Sequence, residues 1–162
     1  MKNHWVMDYE TMKNFFCGVF THYKTDETKI FVISRLRNDQ TEFLEFLKQN
    51  INNKEWHISY NGLAFDAQVT HYILDNYFLW NNLKGCEIAN IIYKYAQSCI
   101  TKSNKKQFSD YPPWKMKVGQ IDIYKMHHWD NPAKRSSLKW IQYSMDWQNI
   151  IDMPIHHETE IT

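Results

Sequence analysis

Three runs rich in β-branched and aromatic residues dominate the start of the chain: residues 4–10 (HWVMDYE), 14–22 (NFFCGVFTH) and 28–34 (TKIFVIS). Short polar breaks separate them, so the pattern predicts three antiparallel strands joined by tight connections. That sheet gives meaning to the acidic pair Asp8 and Glu10 in the first run. Side chains alternate between faces along a strand, so residues two apart share a face, about 7 Å apart. Two carboxylates held side by side repel unless a cation lies between them, and hard oxygen donors suit Mg²⁺ or Mn²⁺. The pair reads as half of a metal site. Alone, Asp-x-Glu is weak evidence, since such acids on strand edges are usually just solvated. The setting strengthens it: Trp5, Val6 and Met7 precede the pair, and a central strand there would bury it, which is costly for unpaired charge.

After the third run, Asp39 and Glu42 form a capping-box-like helix start, and Phe43, Leu44, Leu47 and Ile51 give that helix an apolar stripe. Residues 55–60 (EWHISY) predict a fourth strand, and Asn61-Gly62 a turn into a helix from Leu63 to Phe78. Glu87 to Cys99 predicts a further helix carrying Ile88, Ile91, Ile92 and Tyr95. Residues 101–118 contain five lysines and the pair Pro112-Pro113 without a helical period, which predicts a long functional or mobile loop. Residues 119–126 predict a fifth strand, and Ser136-Ser137 cap a short helix before the MPIHHETEIT end. This order predicts an α/β fold with a mixed five-stranded sheet flanked by helices, in one domain over residues 1–162.

Composition bounds the partners. A chain of 162 residues, 43% hydrophobic and 23% charged, fits one soluble domain with a proper core. The net charge of +1 supplies no general attraction to nucleic acid, so any such binding must come from local patches. Cys17, Cys86 and Cys99 have no metal-type spacing and read as reduced thiols of a cytoplasmic protein. No signal peptide precedes the first strand, and no apolar run approaches the roughly 20 residues a membrane helix needs.

Asp66, in Asn61-Gly62-Leu63-Ala64-Phe65-Asp66, supplies the other half of the constellation. It falls in line with Val69 and Ile73, so it should face the sheet and need a partner there. A metal shared with Asp8 and Glu10 would serve; so would the helix macrodipole, and both can hold at once. The Asp-x-Glu strand followed by Asn-x-x-x-Phe-Asp at a strand-to-helix turn resembles the first two motifs of the DEDD (DnaQ-like) 3′–5′ exonucleases. It looks most like the proofreading domain of phage-type family B DNA polymerases. SSLKWIQYSM and MPIHHETEI are similar to segments following the fifth strand in such domains, so the resemblance covers most of the chain.

The resemblance implies a ribonuclease H-like fold, hydrolysis of single-stranded DNA from its 3′ end, and two divalent cations, Mg²⁺ or Mn²⁺. Asp8 and Glu10 would bind the ion that activates water, Asp8 would bridge the second, and Asp66 would support that second ion through water. Asn61 would contact the 3′-terminal strand, and Phe65 would pack or stack on the terminal base. The polymerase domain of a longer parent chain, phage-encoded and acting in the bacterial cytoplasm, would be the partner. The family also uses an Asp in Tyr-x-x-x-Asp or His-x-x-x-x-Asp on a last helix, and no Tyr or His here has an Asp at that offset; Tyr143 has Asp146, one residue too close. The expectation is a domain truncated before that helix, and weak cleavage by this chain. Rival readings are a catalytically impaired module that binds nucleic acid or a partner, and an RNA-trimming exonuclease.

Other residues carry weaker signals. Asp122 reads as a supporting group near the site or as a strand-end polar residue. Lys102, Lys105, Lys106, Lys115 and Lys117, interleaved with Phe108, Tyr111 and Trp114, read as a phosphate-contacting patch or as a solvated loop. His127-His128 and His156-His157 lack cysteine partners and metal spacing.

Overall fold

The computed structural model describes residues 3–130, 136–147, 155–156 and 158–161. Its strands are β1 (His4–Met12), β2 (Phe15–His22), β3 (Thr28–Ile33), β4 (Trp56–Ser59) and β5 (Gly119–Asp122). Its helices are α1 (Gln40–Asn52), α2 (Asp66–Asn76), α3 (Gly85–Asn104), α4 (Ile123–His127) and α5 (Leu138–Ser144). The strands form one mixed sheet in the order β3-β2-β1-β4-β5. The first three pair antiparallel, as their short connections require. β4 and β5 add in parallel after helical crossovers. An α/β fold with a five-stranded mixed sheet is what the sequence pattern predicts and what the chain adopts.

Strand alternation sorts the sheet into two unlike faces. Trp5, Met7, Tyr9, Phe16, Phe20, Phe31 and Ile33 are buried on one face, beneath Phe43, Phe46 and Leu47 of α1, Val69 and Ile73 of α2, and Ile88 and Ile92 of α3. Each large apolar side chain taken out of water contributes about 1.5–3 kcal/mol. The aromatic richness is spent here: Tyr9, Phe16, Phe20, Phe31, Phe43 and Phe46 form tilted and edge-on pairs with centroids 4.9–6.1 Å apart. Gly18, opposite Tyr9 in the ladder, makes room for that ring; a Cβ there would come within 3.0 Å of it.

Val6, Asp8 and Glu10 project from the opposite face. Although β1 is central, Asp8 stays exposed and Glu10 half-buried, because Trp5, Met7 and Tyr9 claim the face that the three long helices cover. The expected burial of the acidic pair is corrected accordingly. On this side Leu138, Trp140 and Ile141 of α5 line an apolar cavity with Val6, Val19 and Thr21.

Several boundaries also shift. Asp39 precedes α1, but its carboxylate accepts the Val32 N–H at 2.8 Å and pairs with Arg37 Nε at 2.6 Å, so no capping box forms. α2 starts at Asp66, not Leu63, because residues 61–65 are held in a turn, and it passes into a 3-10 turn at Tyr77–Trp80. α3 runs on to Asn104 and takes the first residues assigned to the loop. β5 ends at Asp122, whose carboxylate accepts the Tyr124 and Lys125 N–H groups and starts α4 in place of further strand. Ser137 caps α5 as expected, accepting the Trp140 N–H at 3.1 Å. Within the MPIHHETEIT end, Met153, Pro154, His157 and Thr162 lie outside the described residues. Among the described residues no helix is long and apolar enough to cross a membrane.

The stretch from α3 to β5 is clasped by α2. Gln68 donates to Leu63 O at 2.9 Å and Tyr111 O at 2.8 Å, and its Oε1 accepts the Tyr111 N–H at 2.9 Å. His71 Nδ1–H donates to Ala67 O at 2.6 Å, which leaves Nε2 to accept the Lys117 N–H at 2.7 Å. Burial holds the His71 pKa below its ordinary value and keeps this neutral tautomer in place. Gln68→Ala and His71→Ala each strand buried backbone groups and should destabilise the fold by about 2 kcal/mol, with faster proteolysis between residues 105 and 118. Urea unfolding and limited proteolysis check this; unchanged midpoints and cleavage rates would remove the clasp from the account.

Candidate active site

β4 pairs with β1 only from His4 to Val6, so beyond Val6 that edge of β1 has no strand beside it among the described residues. Its amides still need acceptors. Asp66, the first residue of α2, fills the gap: its Oδ1 accepts the Tyr9 N–H at 3.2 Å. One turn further on, Tyr9 Oη lies 2.8 Å from Thr70 Oγ1, and Thr70 donates to Asp66 O at 2.9 Å. α2 is thereby fastened to the central strand at two levels. Asp66 is 4% exposed and points inward beside Val69 and Ile73.

The turn before α2 makes this placement possible. Asn61 has φ 61°, in the left-handed region that asparagine tolerates better than most residues. A Cβ on Gly62 would overlap Ser59 Oγ and lie 3.5 Å from Asp66 Oδ2, so only glycine fits. Asp122, at the end of β5, braces the turn: its carboxylate accepts the Asn61 N–H at 2.9 Å and the Leu63 N–H at 3.1 Å, besides the first amides of α4. It is a positioning residue. Phe65 packs against the core and also reaches the cavity wall.

Asp8, Asn61, Phe65 and Asp66 meet around one cavity of about 340 Å³, completed by Tyr60, Ile100, Ser103 and Asn104 among others. It opens past the carboxyl ends of the parallel strands, where open α/β sheets commonly bind ligands. Glu10 shares the outward face with Asp8 but does not line this cavity. Lys105 and Lys106 follow directly on Asn104, and Lys106 lines a small neighbouring cavity with Ser103 and Ala64. Tyr60, Ser103 and Asn104 escaped the sequence reading. Tyr60 adjoins the Asn61 motif, and the last turn of α3 was hidden by its lysine-rich continuation. His127 and His128 sit at the end of α4 with rings 4.7 Å apart, and His128 Nε2 contacts Ser136 Oγ at 2.8 Å.

The carboxyl groups disturb one another. Burial and then the Asp8 charge push the Asp66 carboxyl up to about 8, against the pull of its own and the Tyr9 N–H; Asp122 adds to the rise. Asp8 keeps solvent access, yet the cavity walls around it partly desolvate its carboxyl and raise it, with the Tyr9 amide opposing. Partial burial and the Asp8 charge raise Glu10. Among the described residues, no basic side chain acts on these three carboxyls. At neutral pH the cavity thus holds a protonated Asp66 beside Asp8. Such a donor set fits a hard divalent cation, which would replace the Asp66 proton. Among the described residues, no three His, Cys, Asp or Glu side chains are already grouped around one point to hold an ion. Asp8 and Asp66 are the two carboxyl groups that the cavity offers. Comparison of the chain with protein-family models, curated proteins and solved structures finds no match.

The sign of the Asp66 shift makes stability pH-dependent. Below about pH 4 the group is protonated in both folded and unfolded chains and contributes nothing. From there to about pH 8 the unfolded chain releases the proton and the folded one keeps it, so stability falls. In chelator, Asp66→Asn should gain roughly 2–4 kcal/mol on wild type between pH 4 and pH 8. Urea titrations of both proteins across that range measure it; a pH-independent difference would show that Asp66 is not held protonated.

Proposed function

We propose that this chain is a divalent-metal-dependent 3′–5′ exonuclease domain acting on single-stranded DNA, of the DEDD type with a ribonuclease H-like fold, and that it serves as the editing part of a phage-type polymerase. One observation carries the reading: Asp8 and Asp66, far apart in sequence, reach one cavity in which Asp8 helps keep Asp66 from ionising. The mixed sheet opening with three antiparallel strands also supports it.

Asp8 and Asp66, with Glu10 beside Asp8, would hold Mg²⁺ or Mn²⁺. Two such ions, when bound, stabilise the attacking and leaving oxygens of phosphodiester hydrolysis. The chain's own groups do the positioning. The Tyr9 N–H orients Oδ1 of Asp66, and the carboxyl would turn toward a bound ion from there. Asp122 fixes the Asn61 backbone at the cavity wall, where the Asn61 side chain would meet the 3′-terminal strand. Phe65, packed on the core and lining the cavity, would back the terminal nucleotide.

The ungrouped donor set favours a second reading, a module of the same fold that binds single strands and cleaves poorly. Release of labelled mononucleotides from a 3′ end separates the two. Under the first reading Asp8→Ala lowers Mg²⁺-dependent release by about 100-fold or more, since loss of even a supporting partner of a metal ligand costs 10–100-fold. Adding Glu10→Ala costs little further, because residues acting as a unit are non-additive. Full activity in Asp8→Ala would sink the site; no release by wild type, with oligonucleotide binding retained, selects the second reading.

A further inference from the structure

We propose that the arch from Lys105 to Lys115 is a stacking grip for single-stranded nucleic acid, with Phe108 and Trp114 taking base faces and Lys105, Lys106 and Lys115 taking phosphates. The choice of ligand rests on the nuclease reading and deepens it. Phe108 is 99% exposed and Trp114 82%. A single exposed apolar residue is ordinary. Here, however, two large rings stand in water on a segment that is bolted down from within. Gln68 holds Tyr111 by both its N–H and its carbonyl, and Asp110 accepts Lys102 Nζ at 2.6 Å and Tyr95 Oη at 3.1 Å. His71 holds the Lys117 amide. The arch is fixed and still turns its rings outward.

The charges point to the ligand class. Lys102 pairs with Asp110 and Lys117 with Asp75, so two of the five lysines are neutralised. Lys105, Lys106 and Lys115 have no carboxylate partner among the described residues, and they flank the two rings. Uncompensated cations on either side of two exposed rings suit a single strand, which offers phosphates together with open base faces. Placement agrees. Ser103 and Asn104 wall the carboxylate cavity, and Lys105 and Lys106 come next, so the arch begins at the edge of that cavity.

The test is fluorescence anisotropy of the full chain with a short labelled oligothymidylate in chelator, where cleavage is silent. Phe108→Ala with Trp114→Ala should weaken binding about tenfold or more, and a duplex of equal length should bind more weakly than the single strand. Replacing Lys105, Lys106 and Lys115 by Ala should lower the slope of log affinity against log salt by about 2. Unchanged affinity in the aromatic pair variant, equal binding of duplex, or no binding at all overturns the grip; the last leaves the rings to a protein partner. Mg²⁺-dependent release by the same proteins keeps the two readings apart. Release without ring-dependent binding removes only the grip, and ring-dependent binding without release removes only the nuclease.

Discussion

The hydrogen bond between the Tyr9 N–H and Asp66 is where the sheet, the helices and the cavity depend on one another. β4 is too short to accompany β1 along its length, and the amide it leaves unpaired must be satisfied from elsewhere. A carboxylate on the first turn of α2 does so, and the same contact brings Asp66 toward Asp8. Tyr9 anchors the arrangement from its other end: its ring lies on Gly18 and among Phe16, Phe20 and Phe43, and its hydroxyl meets Thr70. A change that frees this tyrosine would disturb the aromatic core and the cavity together.

Among the described residues, the carboxyls at the cavity meet no basic side chain. Native proteins usually pair buried carboxylates with bases or donors, and Asp122 shows how this chain does so where the role is structural, with four backbone N–H groups around one carboxylate. Asp66 is treated differently. It receives the Tyr9 amide, faces the Asp8 charge and holds its proton far above the usual carboxylate range. The contrast between the two buried aspartates singles out Asp66 as the perturbed carboxyl, the kind of group that clusters at functional sites.

Rigidity surrounds this site. The Asn61 turn is braced by Asp122, α2 is stapled to β1, and the segment after α3 is clasped by Gln68 and His71. Most of these bonds join side chains to backbone amides or carbonyls. Such bonds tolerate change in neighbouring side chains while holding the chain's path, which suits a wall that must present Asn61, Ser103 and Asn104 at fixed places.

Much of the fold was legible because its signals are local. The β-branched and aromatic runs with short breaks define the three antiparallel strands, and the alternation within residues 4–10 puts Asp8 and Glu10 on one face. The helical spacing of Asp66, Val69 and Ile73 turns Asp66 inward. Other features were decided only by contacts between distant segments. Strand period alone does not say which face of β1 the helices cover, so the acidic pair was expected to be buried and instead lies on the other side. Asp39 is followed by a good capping pattern, yet Arg37 and the β3 edge compete for its carboxylate and win. Asp122 reads from the sequence as a strand-end polar residue or a supporting group; it does end β5, and only the fold brings the Asn61 and Leu63 amides to its carboxylate. The separation of roles also came from packing: the local pattern nominated Asp8, Glu10 and Asp66 together, and the tertiary structure placed Asp8 and Asp66 at one cavity and left Glu10 beside it, because β4 ends where β1 continues.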